Sequence, residues 1–330
     1  MFDKSFFKNK LNNLRITDWE EHALALFRYQ AEYNPVYQQY IHFLGIKPAQ
    51  VKEIHKIPFL PIEFFKTHRI TTGTFEAKVV YQSSGTTQLT RSKHYLPDDL
   101  FYKQHARNLF EYYYGPLTDY IFLALLPSYL EQGQSSLVAM VDYFIENSGQ
   151  QLPGFYLHDL SGLVRDIEQA RQTGKKVLLI GVTYALLDLA ETIPPGSLGD
   201  LIIMETGGMK GRRREMVRAE LHQRLKQAFG VEAIHSEYGM TELLSQAYSF
   251  GAGVFKPCPT LKIILRDIND PLTLNNSLSS GGINVIDLAN VDSCAFLETK
   301  DIGKLYPDGS FEVLGRFDNS DIRGCNLMVS

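Results

Sequence analysis

Between Ser83 and Thr90, in YQSSGTTQLTRSKHYL (81–96), the chain sets two serines and three threonines around one glycine, then turns basic at Arg91 and Lys93 with His94 beside them. Small hydroxyls and unobstructed backbone N–H groups around a residue that tolerates positive φ suit a nest for phosphate oxygens. Arg91, Lys93 or His94 could neutralise part of the anionic charge. No GxxxxGK[ST] occurs in the chain, so a Walker A loop is excluded. An ordinary Ser/Thr turn has the same composition, and the stretch by itself leaves both readings open.

Two further stretches carry chemistry. In IHSEYGMTELLSQAY (234–248), Tyr238, Gly239, Thr241 and Glu242 stand where a strand-like run gives way to a helix-like one. Thr241 can there point at an anion and Glu242 can help hold magnesium; a plain helix start with an acidic first turn is the alternative. In TKDIGKLYPDGSFEVLGRFDNSDIRGC (299–325), the turn at PDGS pairs Asp301 with Arg316 across a hairpin, a pair that a surface salt bridge would also explain. His94, His158 and His235 lie near these stretches and read as hydrogen-bonded structural histidines.

The elements that must position these residues follow from periodicity. Thr17 and Glu20 have capping-box spacing, and Trp19, Ala23, Leu26 and Gln30 trace one helical face. NPVYQQYIHFLGIKP is a second short helix closed by Gly45 and Pro48. AKVVYQ, YIFLALLP, KKVLLIGV and DLIIMETG have the length and branched content of buried strands. Between them Leu160, Leu163, Val164, Ile167 and Ala170, and then Val217, Leu221, Leu225 and Ala228, fall at helical spacing. Alternation of this kind implies a largely parallel sheet covered by helices, with ligands at the carboxyl ends of its strands. After residue 260, LKIILRD, GINVIDL, CAFLETK and SFEVLGR alternate with turns as antiparallel strands do. The fold class is therefore α/β with a C-terminal antiparallel β region.

Bulk properties narrow the function classes. With 44% hydrophobic residues over 330 positions the chain can bury a sizeable core. The 33 basic and 37 acidic residues are spread along the length, so no nucleic-acid footprint stands out. Cys258, Cys294 and Cys325 are odd in number and lack metal spacing, which points to a reducing compartment and a cytoplasmic setting. No stretch has the length of a membrane span, and the charged N-terminus does not read as a signal peptide.

Taken in order, YQSSGTTQLTRSK, YGMTE and TKDIG…GRFDNSDIRG resemble the phosphate-loop, Tyr/Thr/Glu and ribose-binding motifs of the adenylate-forming superfamily of acyl and aryl CoA ligases. The branch that fits best is the LuxE-type acyl-protein synthetases, with phenylacetate-CoA ligases as relatives. GGMKGRRRE (207–215) resembles that branch's glycine-rich strand-to-helix turn, and LLPSYLEQGQSSLVAMV (125–141) its substrate-side segment. The resemblance spans residues 58–330, and residues 1–57 carry no assignable motif. It departs from the pattern where Gln88 and Leu89, then Arg91 and Lys93, stand in place of the usual Gly and later Lys.

The resemblance implies ATP and Mg2+ as cofactors, a small carboxylic acid, in particular a fatty acid, as substrate, and an acyl-accepting reductase or transferase as partner. Ser83, Ser84, Gly85, Thr86 and Thr87 would enclose the β and γ phosphates. Gly207, Gly208 and the ring of Tyr238 would lie against adenine. Thr241 would contact the α phosphate and Glu242 the magnesium, Asp301 the ribose hydroxyls with help from Arg316, and Lys210 is a candidate further cation. Three parts are expected: a helical segment (1–57), an α/β nucleotide-binding core (58–259) and a β-rich subdomain completing the nucleotide site (260–330). In the CoA ligases the Gly-Arg-x-Asp hinge leads into a mobile domain; here twelve residues follow Asp318, so that domain is expected to be absent. The LuxE-type reading makes Cys325 the acyl acceptor, with Arg323 favouring its thiolate, while Cys258 and Cys294 read as structural. A CoA ligase using a partner for the missing domain and a non-catalytic nucleotide-binding subunit are the alternatives.

Overall fold

The computed structural model describes residues 2–12, 17–83, 91–127, 134–207, 216–268 and 278–317. Three helices open the chain: α1 (Lys4–Asn12), α2 (Trp19–Tyr33) and α3 (Pro35–Phe43). In α2 the buried stripe is Ala23, Leu26, Phe27, Gln30 and Ala31, the face expected from spacing. The expected capping box is not formed. Asp18 occupies the cap position with φ 55° and its side chain makes no capping bond; instead Trp19 Nε1 donates to the Pro259 carbonyl at 3.0 Å, so a distant contact sets where the helix begins. Asn34 caps α3 by accepting from Tyr37 N at 3.1 Å, and Gly45 at φ 68° closes it as expected.

A parallel block forms the first half of an eleven-stranded sheet. Its strands β4 (Tyr120–Leu125), β5 (Lys176–Val182), β6 (Ile202–Thr206) and β7 (His235–Tyr238) lie side by side in chain order. Every residue of β4 and six of the seven in β5 are buried, as continuous apolar runs covered on both faces must be. After the one-turn α4 (Phe64–Thr67), the helices α5 (Leu100–Tyr114), α6 (Ser136–Ser148), α7 (Leu160–Arg171), α8 (Thr183–Thr192) and α9 (Arg218–Phe229) supply the cover. The first of the expected strands, AKVVYQ, departs from this pattern. Its β2 (Val79–Gln82) pairs with β3 (Lys93–Leu96) in a separate antiparallel hairpin, and only Tyr81 of β2 is buried. A short apolar run does not say which sheet it joins; here the pairing starts with Gln82 opposite Lys93, close by in the chain, rather than across the core.

The second half is antiparallel. β7 turns back into β8 (Ala247–Ser249), which leads through β9 (Val254–Pro257) to β13 (Phe311–Arg316), β12 (Phe296–Leu305), β11 (Ser280–Asp287) and β10 (Leu261–Arg266). A short β1 (Leu60–Pro61) joins β12 in parallel. Among the described residues no helix is long and apolar enough to cross a membrane.

The helix-like run after Tyr238 is not a helix. Residues 239–246 form an irregular turn, and its cause is Asp287, whose buried carboxylate accepts from Leu244 N (2.8 Å), Ser245 N (3.0 Å), the Ser245 hydroxyl (2.6 Å) and Ala289 N (3.0 Å). Two backbone donors that a helix would have used are taken by a side chain from another strand. Burial raises the Asp287 pKa above the usual carboxylate value, with the four donors opposing that shift. Asp287→Ala would leave those donors without an acceptor in a water-free site and is expected to lower the unfolding free energy by about 3 kcal/mol, read from urea denaturation.

Candidate active site

The carboxyl end of β7 delivers Tyr238, and the turn held by Asp287 delivers Thr241 and Glu242. Glu242 is 6% exposed, and its carbonyl accepts from Asn290 Nδ2 at 2.7 Å. Burial pushes its carboxyl pKa up, while a hydrogen bond from the Ser92 hydroxyl and the charges of Arg316 and Lys66 pull it back. A buried carboxylate that remains near two cations and a hydroxyl is poised to exchange them for a stronger cation.

The β2–β3 hairpin meets this turn. Ser83 N donates to the Ser92 carbonyl at 3.1 Å and Ser92 N donates to Ser83 Oγ at 3.0 Å, closing the base of the loop. One step along β3, His94 Nδ1–H donates to the Thr241 carbonyl at 2.8 Å. His94 is fully buried, with the edge of Phe65 packed on its ring and Nε2 lacking a partner. Burial drives its pKa down to about 4. Of the three residues expected to supply charge against phosphate, His94 is therefore corrected, because a desolvated imidazole is uncharged at neutral pH. The expectation that it is a hydrogen-bonded structural histidine holds, as it does for His235, whose Nδ1 meets the Tyr114 hydroxyl at 3.0 Å.

The late hairpin completes the cluster. Asp301 and Arg316 are direct partners in the β12–β13 register, with Arg316 Nε 3.4 Å from Asp301 Oδ1. Their surroundings differ: the Arg316 side chain is 69% exposed, the Asp301 side chain 10%. Asp301 also accepts from the Tyr238 hydroxyl at 2.8 Å, which an exposed salt bridge would not do. Burial raises its pKa against the opposing Arg316 charge and the Tyr238 hydrogen bond. The Tyr238 ring lies edge-on to Phe311, centroids 5.3 Å apart, and beside Phe255. Gly207 follows β6 at φ 69°, its carbonyl 3.4 Å from the Thr183 hydroxyl.

Ser83, Tyr238, Thr241, Glu242, Asp301 and Arg316 are thus linked through Ser92, His94 and one another. Ser84, Gly85, Thr86, Thr87, Gly208, Lys210 and Cys325 lie outside the described residues. Cys258 and Cys294 are buried, their thiols pushed up to about 11 and about 12, which fits their structural reading. Sequence reasoning missed Ser92, Lys66, Asp287 and Asn290. The alternation Ser92, His94, Leu96 inward against Lys93 and Tyr95 was a usable signal for the first; the other three are joined to the site only by the fold. Among the described residues no group of three or more metal-ligating side chains occurs. A magnesium ion that keeps waters and phosphate oxygens needs no more than one or two carboxylates from the protein, and Glu242 is the carboxylate that this turn offers.

No protein-family model matches the chain, and no curated protein matches it. Solved structures do. ATP-bound MatB from Rhodopseudomonas palustris is 17% identical with a TM-score of 0.53, over 74% of this chain and 49% of that one. O-succinylbenzoate coenzyme A synthetase from Bacillus subtilis in complex with AMP is 17% identical with a TM-score of 0.51, over 74% and 50%. 2-Hydroxyisobutyryl-CoA ligase in complex with 2-HIB-AMP is 12% identical with a TM-score of 0.63, over 90% and 67%. The chain spans about half the length of the first two. Likeness at this identity establishes the fold, the mixed α/β fold of the N-terminal part of adenylate-forming enzymes.

His94 offers a direct check on the geometry. Its folded pKa lies below the unfolded value near 6.5, so the stability tied to the neutral ring is full above that value and is lost as pH falls from there towards 4. Between pH 7 and pH 5 that loss is about 2 kcal/mol. In His94→Gln the acid-induced drop in urea midpoint should be smaller by the corresponding amount; an unchanged drop would place the imidazole in water.

Proposed function

We propose that this chain joins a carboxylic acid to AMP at the expense of ATP, in the manner of the adenylate-forming ligases. The observation that carries the reading is the meeting of three separate stretches: the Ser83/Ser92 base of the hydroxyl-rich loop, the Tyr238–Glu242 turn and the Asp301/Arg316 pair. The solved structures of like fold, MatB bound to ATP, a coenzyme A synthetase in complex with AMP and a CoA ligase in complex with 2-HIB-AMP, support it from a second side.

In this reading an oxygen of the substrate carboxylate attacks the α phosphorus of ATP, the bond to the β-phosphate oxygen breaks, and pyrophosphate leaves. The acid is already ionised at neutral pH, so no base is required. Acceleration must come from aligning two anions and facing the developing charge with donors and cations. Ser83, Ser84, Gly85, Thr86 and Thr87 would hold the outer phosphates, Thr241 the α phosphate, Gly207, Gly208 and Tyr238 the adenine, and Asp301 with Arg316 the ribose. Asp301 would exchange its bond from Tyr238 for bonds from the ribose hydroxyls. Magnesium, when bound, would neutralise phosphate charge, with Glu242 the residue to hold it and Lys210 a further cation.

The finer assignment is a LuxE-type acyl-protein synthetase acting on a fatty acid. The Cys325 thiolate would attack the acyl carbonyl carbon, forming a thioester and releasing AMP, before the acyl group passes to a partner protein. A second reading, transfer to coenzyme A, is favoured by the names of the fold neighbours.

Carboxylate-dependent exchange of labelled pyrophosphate into ATP is the decisive assay. Exchange with some members of a broad acid panel is expected, reduced about 100-fold or more in Glu242→Gln; silence across the panel sinks the adenylation. Intact mass spectrometry after incubation with ATP, magnesium and the active acid assigns the acceptor. An acyl adduct lost in Cys325→Ser supports the protein thioester, whereas acyl-CoA formed only with added coenzyme A supports the second reading.

A further inference from the structure

Glu237 precedes Tyr238 on β7, so its side chain leaves the opposite face of the strand and enters the layer between the parallel sheet and helices α5 and α6. There it lines a tight cavity of about 10 Å³, room for no more than about one water molecule, whose other walls include Phe110, Phe122, Phe144, Met140 and Met204. The residue is 8% exposed. Its Oε2 accepts from the Thr206 hydroxyl, and its Oε1 lies so close to Gly239 that a Cβ built there would come within 2.3 Å of it. Tyr248, directly opposite in the β7–β8 register, lines the same cavity, and its buried hydroxyl has no partner.

A carboxyl group among aromatic and aliphatic side chains is a costly way to satisfy one threonine, since apolar side chains at both positions would fill the space without desolvating a charge. Burial, with the Glu205 charge adding to it, raises the Glu237 pKa to about 7 even though the Thr206 hydrogen bond opposes the shift. Glu237 is also one residue from the candidate nucleotide contact Tyr238, and Thr206, which donates to it, is one residue from Gly207. An acid whose carboxylate meets the α phosphate at that strand end would reach this layer with its other end only by parting the side chains that now close it. The cavity is narrow as it stands, and Met140 and Met204 are unbranched side chains able to shift aside.

We propose that Glu237 is a specificity-determining residue of this site, selecting carboxylic acids that carry a hydrogen-bond donor, a hydroxyl or an ammonium group, on an otherwise apolar body, with Tyr248 as the second polar contact. This rests on the adenylation reading above. It differs from a purely structural role for Glu237, which would make the carboxyl an acceptor for Thr206 and indifferent to the acid.

The test uses the full chain and matched acids, straight-chain and arylacetic, each without substituent, with a terminal hydroxyl and with a terminal ammonium, compared by kcat/KM in pyrophosphate exchange. The wild type should favour one donor-bearing series over the unsubstituted acids by about tenfold or more, because a buried polar group left unpaired penalises the acid lacking its partner. Glu237→Leu should reverse that preference. Glu237→Gln, which is near-isosteric and retains an acceptor for Thr206, should keep a preference for hydroxyl and lose one for ammonium, and so tells the two donors apart. Equal use of substituted and unsubstituted acids by the wild type, or a preference unmoved in Glu237→Leu, overturns the proposal. Titration calorimetry with the same acids separates the two levels. Donor-selective binding abolished in Glu237→Leu without any exchange would retain the selectivity and discard adenylation, and no binding of any acid would discard both.

Discussion

The structure turns on one buried carboxylate. Asp287, at the end of β11, gathers two backbone N–H groups and a hydroxyl from the segment after Tyr238 and a third N–H from its own turn. Without it, Leu243, Leu244 and their neighbours have every local reason to continue as a helix. With it, the chain turns back into β8, and the parallel block is joined to the antiparallel one through a single continuous sheet. The same contact leaves Glu242 beside Ser92 and within the field of Arg316 instead of on a helix facing elsewhere. An ion held by several short donors in a dry site has few alternative positions, and that rigidity is what the phosphate contact proposed for this turn would require.

The loop that carries Asp287 is in turn gripped by the N-terminal helices. Gln30 donates to the Asn290 carbonyl at 2.8 Å and accepts from Ala295 N at 2.9 Å. Asn34 donates to the Ser293 carbonyl at 3.1 Å, and Lys4 and Lys8 both ion-pair with the buried Asp292. Asn290 itself holds the Glu242 carbonyl. The opening segment, in which no motif can be read, is thereby connected through two layers of hydrogen bonds to the residue proposed to hold magnesium.

Glu237, Glu242 and Asp301 are all buried near the candidate site, and the fold treats them differently. Glu242 is relieved by cations and a hydroxyl, and Asp301 by Arg316 and the Tyr238 hydroxyl, so both have polar partners that a ligand could replace. Glu237 has a threonine hydroxyl and an apolar wall. Its desolvation is therefore the least compensated, and a ligand group that hydrogen-bonds to it gains the most.

Local patterns determined much of this in advance. The apolar runs at β4, β5 and β6 are buried on both faces and could form little else, and the PDGS turn brings Asp301 and Arg316 onto neighbouring strands, although an irregularity between Ile302 and Gly303 shifts the register by one residue to set them directly opposite. The order of the three polar stretches likewise pointed to one site. Other features were decided only by tertiary contacts: that β2 pairs within its own hairpin, that Asp18 rather than Thr17 stands at the start of α2, that His94 is uncharged, and that 239–246 is a turn. Periodicity reports which residues want to be buried, because that preference belongs to each side chain. It cannot report the partner of a backbone N–H or the dielectric around an imidazole, because these are supplied by residues such as Asp287, 42 positions away from the Ser245 it holds.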